Sequence, residues 1–295
     1  MNERFLVFVM KNIIKWIKIF RPGTLSAGFS PVGVGLIIVA QKYSINWLTA
    51  VMTLLCAMGI QILSNLVNDY YDFKKGLDKS GRIGFKRALA EGDVTVLQMK
   101  KAIFIDLILT LLIGLFLIWK GGWVIFLIGL FSIFFAWLYT ATKKSLSYLG
   151  IADFFVLVFF GPIAVEGTIF LQISSFTIEG LYLGIVCGSI STCVLIVNNI
   201  RDIKTDKLAG KQSFVVRFGK KAGEYEYLFF IVLAICCSFV AHPFTFSNLI
   251  LIPAIYLYFR LLKASEFHYN KILIQTGLLN VFFLFLFSID LLIKN

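Results

Sequence analysis

Apolar stretches of about 20 residues, the length that crosses a bilayer as a helix, alternate with short polar segments along nearly the whole chain. These runs are continuous, which excludes the alternating pattern of a membrane β-barrel. The predicted spans are 24–40, 47–70, 102–119, 122–140, 151–172, 180–200, 226–242, 246–262 and 272–293. We therefore expect an all-α polytopic membrane protein that forms one domain over residues 1–295.

Three polar segments flank the predicted spans. Residues 1–21 combine apolar positions with spaced cations and lack a small-residue cleavage site, so an interfacial amphipathic helix is favoured over a signal peptide. Residues 73–101 and 201–225 are the longest polar connections, and we expect them to form two loops that cap one face of the helices.

Composition and charge support this topology. The chain is 59% hydrophobic and 15% charged, which excludes an ordinary soluble domain. With the N-terminus inside, 25 of the 28 lysines and arginines fall on the cytoplasmic side, as the positive-inside rule requires. The net charge of +12 is then a sign of topology and does not require nucleic-acid binding. The five cysteines lie within apolar runs, without metal-ligand spacing.

Amides and carboxylates recur at the cytoplasmic ends of two spans. The two motifs are Asn68-x-x-x-Asp72-x-x-x-x-x-Asp78 and Asn198-x-x-x-Asp202-x-x-x-Asp206. Residues four apart share a helix face, so we expect the three side chains of the second motif on one helical face. Facing carboxylates repel unless a cation lies between them, and magnesium prefers carboxylate, water and phosphate oxygens. The motifs therefore predict a magnesium site.

Cations interleaved with the motifs suggest the substrate. Lys79, Arg82, Arg87 and Lys143 would bind the charge of a diphosphate that magnesium leaves exposed. A diphosphate held above an apolar interior suits a polyprenyl diphosphate, whose tail enters the membrane lipid. Ionisation of such an allylic donor gives a carbocation that aromatic faces shelter. The predicted faces belong to Tyr70, Tyr71, Tyr139 and some of the 31 phenylalanines.

At this point the chain resembles a known family, the UbiA-type intramembrane aromatic prenyltransferases. The resemblance rests on Arg21-Pro22, the Asn68/Asp72/Asp78 motif, Tyr139-x-x-x-Lys143 and the Asn198/Asp202/Asp206 motif. It implies a ring of nine helices around a central cavity that opens laterally to lipid. It also implies a bacterial cytoplasmic membrane, with the active site facing the cytoplasm.

Within the family, the six-residue spacing from Asp72 to Asp78 is most similar to the menaquinone branch, although Phe85 stands where that branch usually has proline. The resemblance implies prenyl transfer to a dihydroxynaphthoate with decarboxylation. It assigns magnesium on the diphosphate to Asp72, Asp78, Asp202 and Asp206, assisted by Asn68 and Asn198. Lys143 would neutralise the leaving group and Tyr139 would act beside it. Arg21 is expected to hold the acceptor carboxylate, because a guanidinium matches a carboxylate with two hydrogen bonds.

Further polar residues beside the motifs allow two interpretations. Asp69 would either contact substrate or satisfy a helix end, and Arg82 and Arg87 would either bind phosphate or anchor the topology. Arg201, inside the second motif, is expected to bind substrate. Asp153, near the cytoplasmic end of its span, is a candidate because ionisable groups within membrane spans are commonly functional.

Two alternatives remain open. The same chemistry could serve another acceptor, such as 4-hydroxybenzoate, homogentisate or a glycerophosphate lipid. A cation or phosphate transporter is the alternative from a different class, and it is disfavoured because no predicted span is broken or carries a charge pair at mid-depth. The sequence leaves the prenyl chain length and the oligomeric state undetermined.

Overall fold

The computed structural model describes residues 10, 13–76, 84, 87–139 and 145–294, and these contain helices, turns and loops but no strand. The helices are α1 13–19, α2 Pro22–Ala40, α3 Trp47–Lys74, α4 Val96–Leu138, α5 Leu146–Leu149, α6 Ala152–Phe159, α7 Pro162–Ile173, α8 Ile178–Arg201, α9 Ile203–Leu208, α10 Phe214–Phe218, α11 Lys220–Ala241, α12 Leu251–Leu262 and α13 Tyr269–Lys294. Short 3-10 turns lie at Phe246–Ile250 and Glu266–His268.

The helices agree with the predicted spans. Seven apolar helical stretches within the described residues are long enough to cross a membrane, one of them being α6 and α7 taken together, and Phe246–Leu262 is a shorter apolar helix. The longest, α4, changes direction at Gly122 (φ 61°, ψ −146°). We call its two arms α4a (residues 96–121) and α4b (residues 123–138), and they correspond to the third and fourth predicted spans. The all-α membrane fold is confirmed, and a count of nine spans is compatible with it.

The ends of several helices differ from the prediction. Helix α3 continues to Lys74, α4 begins at Val96 and α11 begins at Lys220. The two segments predicted as cap loops therefore contain more helix than expected. Thr95 explains the early start of α4, because its hydroxyl accepts from the Gln98 amide while the Gln98 side chain accepts from the Thr95 amide.

The fifth span is broken, so the expectation that no span is interrupted is wrong. Helix α6 ends at Phe159 and α7 begins at Pro162, whose ring cannot continue a preceding helix. The break allows this segment to approach α8 very closely. A Cβ added to Gly188 would lie 2.1 Å from the Leu157 carbonyl oxygen, and a Cβ added to Gly161 would lie 2.5 Å from the Gly184 carbonyl oxygen. Residues 157–164 carry no charge, and the break lets this segment pack closely against α8.

Helix α8 is the centre of the bundle. It packs against α2, α6, α7, α11 and α13, and small residues on its surface permit these approaches. A second apolar cluster joins α3 to α4a through Leu63, Leu66 and Met99. The chain thereby brings the last turns of α3 and α8, which carry the two motifs, to the same end of the molecule. We call this the motif end.

Candidate active site

A small polar cavity of about 30 Å³ lies at the motif end. Its lining includes Asn68, Asp72, Arg87, Tyr139, Asp153, Asn198, Asn199, Asp206, Lys211 and Ser213. Residues from both motifs therefore reach one cavity, although 130 positions separate Asn68 from Asn198 in the chain.

The first motif presents its side chains from the last turns of α3. Asn68 and Asp72 are one helical turn apart and both line the cavity. Asp72 is only 2% exposed, and within the described residues its Oδ1 has no hydrogen-bond partner. Its Oδ2 lies 3.8 Å from an Arg87 guanidinium nitrogen. A buried carboxylate oxygen without a partner costs free energy, so Asp72 is poised to accept a cation or a hydrogen-bond donor.

The second motif is arranged differently from the prediction. Helix α8 ends at Arg201 and Asp206 belongs to α9, so the expectation of one continuous helical face is wrong. The chain leaves the helix at Asp202 (φ −94°, ψ 9°), which caps α8. Asp206 nevertheless lines the cavity with Asn198, and its carboxylate pairs with Lys211 at 2.9 Å.

Arg201 contacts protein groups on three sides. It donates two hydrogen bonds of 2.8 Å to the Asp202 carboxylate, one of 2.6 Å to Asn198 and one of 2.8 Å to Asn270 at the start of α13. The predicted substrate role of Arg201 has no direct support from these contacts. Its guanidinium instead orients Asn198 and Asp202 and ties α8 to α13.

Asp69 joins two arginines from distant parts of the chain. Its carboxylate, 3% exposed, pairs with Arg21 at the entry of α2 and with Arg87 in the loop before α4. Arg87 also donates to the Asn68 side-chain oxygen at 3.3 Å. Asp69 thus fixes the positions of both guanidinium groups beside the cavity, which favours an indirect role over direct contact with substrate.

Tyr139, at the end of α4b, lies where the polar cavity meets a second cavity. It lines both, and the second cavity is apolar with a volume of about 600 Å³. Burial and the nearby carboxylates Asp153 and Asp72 raise the pKa of Tyr139 above its ordinary value, so its hydroxyl stays protonated. Asp153 is 7% exposed, and its Oδ1 has no partner in the described part of the chain.

The apolar cavity extends into the bundle between α2, α3, α4, α6 and α7. Phe135 lies one helical turn before Tyr139 and lines the apolar cavity. Its ring centroid is 4.3 Å from that of Phe155 and 4.9 Å from that of Phe159. Tyr70 and Tyr71, which were predicted to supply aromatic faces, line neither cavity. Their ring centroids are 5.1 Å apart, and the Tyr71 ring packs on Trp137 with a centroid distance of 6.0 Å. The phenylalanines, which the sequence did not single out, take the place expected for these tyrosines.

Lys211 and Ser213 also line the cavity and were not predicted from the sequence. Both lie in the loop between α9 and α10, which returns to the cavity after Gly210 (φ +74°). Gly150 (φ +76°) makes this return possible, because a Cβ there would lie 2.2 Å from the Gln212 carbonyl oxygen. The available signal was the Gly210-Lys211 pair, which begins four residues after the last aspartate of the second motif.

Several predicted residues lie outside the described residues and stay predictions. They are Asp78, Lys79, Arg82, Phe85 and Lys143.

The donors at the cavity have the chemistry of a divalent-cation site. Within the described ranges, no three His, Cys, Asp or Glu side chains lie close enough to form a complete site. The cavity does gather the carboxylates of Asp72 and Asp206 and the amides of Asn68 and Asn198. Oxygen donors of this kind, one of them a buried carboxylate oxygen without a partner, fit a hard divalent cation that keeps water or phosphate among its ligands.

Comparisons with known proteins point to one family. Residues 28–289 match the model of the UbiA prenyltransferase family. The chain is 35% identical to the 1,4-dihydroxy-2-naphthoate octaprenyltransferase of Escherichia coli over 79% of this chain and 78% of that protein. It is 32% identical to the Haemophilus influenzae protein of the same name over 97% of this chain and 98% of that one.

Solved structures share the fold. A structure described as digeranylgeranylglyceryl phosphate synthase superposes with a TM-score of 0.65 and 19% identity, covering 97% of this chain and 100% of that chain. A UbiA homolog from Archaeoglobus fulgidus, bound to DMAPP and Mg²⁺, superposes with a TM-score of 0.64 and 15% identity, covering 95% and 99%.

Proposed function

The chain belongs to the UbiA prenyltransferase family, and we propose that it transfers a polyprenyl group to 1,4-dihydroxy-2-naphthoate with decarboxylation, in menaquinone synthesis. The observation that carries the proposal is the junction at Tyr139, where a cavity lined by motif carboxylates and amides meets an apolar cavity. The names of the bacterial relatives support this choice of acceptor.

We assign the diphosphate to the polar cavity. Asp72, Asp206, Asn68 and Asn198 would hold magnesium there, with Asp78 and Asp202 from the same motifs. When bound, magnesium neutralises charge on the diphosphate and makes it a better leaving group. The cations of this chain would act on the same charge, because Arg87 and Lys211 line the cavity. Lys79, Arg82 and Lys143 would add to this charge.

The allylic end of the donor would lie at Tyr139. The C–O bond to the diphosphate breaks and its electron pair leaves with the phosphate oxygen. Phe135, Phe155 and Phe159 present aromatic rings on the apolar side of this position, where they shelter the carbocation and exclude water that would quench it. A protonated Tyr139 suits this place, because it adds no negative charge to compete with the acceptor.

We assign the acceptor to the neighbourhood of Tyr139, because the charges of Arg21 and Asp153 both act on the Tyr139 hydroxyl. The ring carbon that carries the carboxylate attacks the cation, a C–C bond forms, and the carboxylate leaves as carbon dioxide, returning its electron pair to the ring. Arg21 would hold the carboxylate, and Asp69 would keep its guanidinium in position. The Asp153 Oδ1, buried and without a described partner, would accept a hydrogen bond from an acceptor hydroxyl.

We place the reaction at the cytoplasmic face of the bacterial inner membrane. The charge asymmetry of the sequence supports this orientation, because 25 of 28 lysines and arginines lie on the motif side of the spans.

A transfer assay tests the proposal. The protein, purified in detergent with magnesium, is given farnesyl diphosphate and either 1,4-dihydroxy-2-naphthoate or 4-hydroxybenzoate, and products are identified by mass. We expect a prenylated naphthalenediol without its carboxylate, and carbon dioxide released in equal amount. A product only from 4-hydroxybenzoate would move the protein to another branch of the family. No transfer to any aromatic acceptor would refute the proposal.

A further inference from the structure

Three buried polar side chains lie one turn apart on the face of α3 that meets the start of α2. They are Gln61, Asn65 and Asp69, which are 7%, 6% and 2% exposed, and their spacing of four places them on one side of the helix. Such groups are costly to bury unless they are hydrogen-bonded. Each of them bonds to the segment 20–24, which contains the turn from α1 into α2.

Arg21, within this turn, has a strained backbone. Its φ of +56° and ψ of 72° lie in the left-handed region, which is disfavoured for a residue with a Cβ. Pro22 follows it, and the residue before a proline is normally extended. Glycine would adopt this conformation without strain, so the presence of an arginine points to a role of its side chain.

Asn65 holds the backbone of the strained turn. Its Nδ2 donates to the Phe20 carbonyl and to the Thr24 hydroxyl, both at 3.1 Å. The Thr24 hydroxyl in turn donates to the Arg21 carbonyl at 3.0 Å. One helical turn further along α3, the Asp69 carboxylate binds the Arg21 guanidinium. One face of α3 therefore fixes both the backbone and the side chain of Arg21.

We propose that Asn65 is a positioning residue for the acceptor, because it keeps Arg21 in the conformation from which the guanidinium reaches Asp69. This inference rests on the proposed function, which assigns the acceptor carboxylate to Arg21. A turn that relaxed to an ordinary conformation would redirect the Arg21 side chain, and two-point binding of a carboxylate depends on the direction of the planar guanidinium. Asn65 lines neither cavity, so it acts through Arg21 and not by contact with substrate.

The effect of Asn65 should fall on one substrate. Among the described residues, its side chain donates to Phe20 and Thr24, and both flank Arg21. The diphosphate is assigned to the polar cavity, whose lining includes Asp72 and Asp206 but not Asn65. Loss of the Asn65 amide should therefore weaken binding of the acceptor and leave binding of the donor unchanged.

The chain offers a matched control for Asn65 at the opposite end of α11 from the second motif. Asn248 is 8% exposed, and its Nδ2 donates to the His242 carbonyl at 2.7 Å and to the Thr245 hydroxyl at 3.4 Å. These contacts flank Phe244, which also has a positive φ of 57°. Asn65→Leu and Asn248→Leu thus remove the same kind of contact from the same kind of turn, and only the first turn carries Arg21.

Steady-state kinetics in detergent, with farnesyl diphosphate and 1,4-dihydroxy-2-naphthoate, test the inference. We expect the KM for the naphthoate to rise five- to fiftyfold in Asn65→Leu, while the KM for farnesyl diphosphate stays within twofold. Asn248→Leu should lower the midpoint of thermal unfolding and leave both KM values within twofold. A naphthoate KM that stays within twofold in Asn65→Leu, or an equal rise for both substrates, would overturn the inference.

A second set of variants avoids dependence on the folding of Asn65→Leu. Thr24→Val removes the hydroxyl that links Asn65 to the Arg21 carbonyl and should raise the naphthoate KM, whereas Thr24→Ser keeps a hydroxyl and should restore it. Adding Asn65→Leu to Arg21→Ala should raise the naphthoate KM no further, because Asn65 acts through Arg21. An additive rise would overturn the inference alone. Failure of the wild-type protein to prenylate any aromatic acceptor would refute the proposed function and the inference with it.

Discussion

Gly150→Ala is expected to damage the site by displacing a neighbouring loop, although Gly150 itself contributes only backbone to the lining of the polar cavity. Gly150 has φ +76°, and its added Cβ would lie 2.2 Å from the Gln212 carbonyl oxygen. This oxygen belongs to the backbone between Lys211 and Ser213, which both line the polar cavity. The Gln212 backbone and the turn at Gly150 must therefore separate by about 1 Å, a displacement of the size that can cost a hundredfold in rate when it misplaces a catalytic group.

The control is a glycine with the same backbone angle and no neighbour. Gly92 also has φ +76°, and a Cβ there meets nothing within 4 Å. Both substitutions incur the conformational cost of a left-handed alanine, about 1 to 2 kcal/mol. Only Gly150→Ala adds the collision with the loop. The difference between the two variants therefore isolates the contribution of the loop from that of backbone strain.

Two measurements separate these effects. Thermal unfolding in detergent should give a lower midpoint temperature for both variants than for wild type, with the larger decrease in Gly150→Ala. The rate of prenyl transfer should fall at least tenfold in Gly150→Ala and less than twofold in Gly92→Ala. Lys211→Ala should lose as much activity as Gly150→Ala, without the backbone strain of that variant. Equal activity of both glycine variants would mean that the 211–213 loop does not belong to the site.

Three further variants examine two carboxylates and the Tyr139 hydroxyl. Asp72→Asn should lower kcat at least tenfold while the protein stays folded, because it removes one charge from the cavity without changing shape; activity within twofold of wild type would exclude Asp72 as a ligand. Asp69→Asn should destabilise the protein by about 3 kcal/mol, because it leaves two partly buried guanidinium groups without their shared carboxylate; denaturant unfolding in detergent measures this. Tyr139→Phe should lower the rate three- to tenfold, the value of one hydrogen bond. Because burial raises the pKa of Tyr139, the pH profile of the rate below about pH 10 should be the same in both proteins, and an alkaline limb lost in the variant would contradict a protonated Tyr139.

The fold was predictable because the membrane imposes its own regularity. Helix length is set by bilayer thickness, so the positions of the spans follow from the apolar runs along the chain. The amide and carboxylate motifs were equally accessible, because Asn68 and Asp72 lie on one face of a helix whose end the sequence marks. The residues within one helical turn of Asn68 and Asp72 could be assigned to the same helix face without knowledge of the tertiary structure.

Contacts between residues from distant segments of the chain could not be predicted from the sequence. The pairing of Arg21 with Asp69 joins positions 48 apart, and Lys211 reaches the cavity only because Gly150 leaves room for the Gln212 backbone. The break before Pro162 was missed because an apolar run shows the same hydropathy whether or not its backbone hydrogen bonds continue. These features depend on packing between helices, for which one sequence carries no periodic signal.

The two motifs look equivalent in sequence and are unequal in the structure, which bears on how they would share a cation. Asp72 keeps Oδ1 without a described partner, whereas both oxygens of Asp202 accept hydrogen bonds from Arg201 at 2.8 Å. Asp72 lines the polar cavity, and Asp202 is not among its lining residues. In the proposed magnesium site, Asp72 would therefore present its oxygen to the cavity, whereas Asp202 would have its orientation fixed by Arg201.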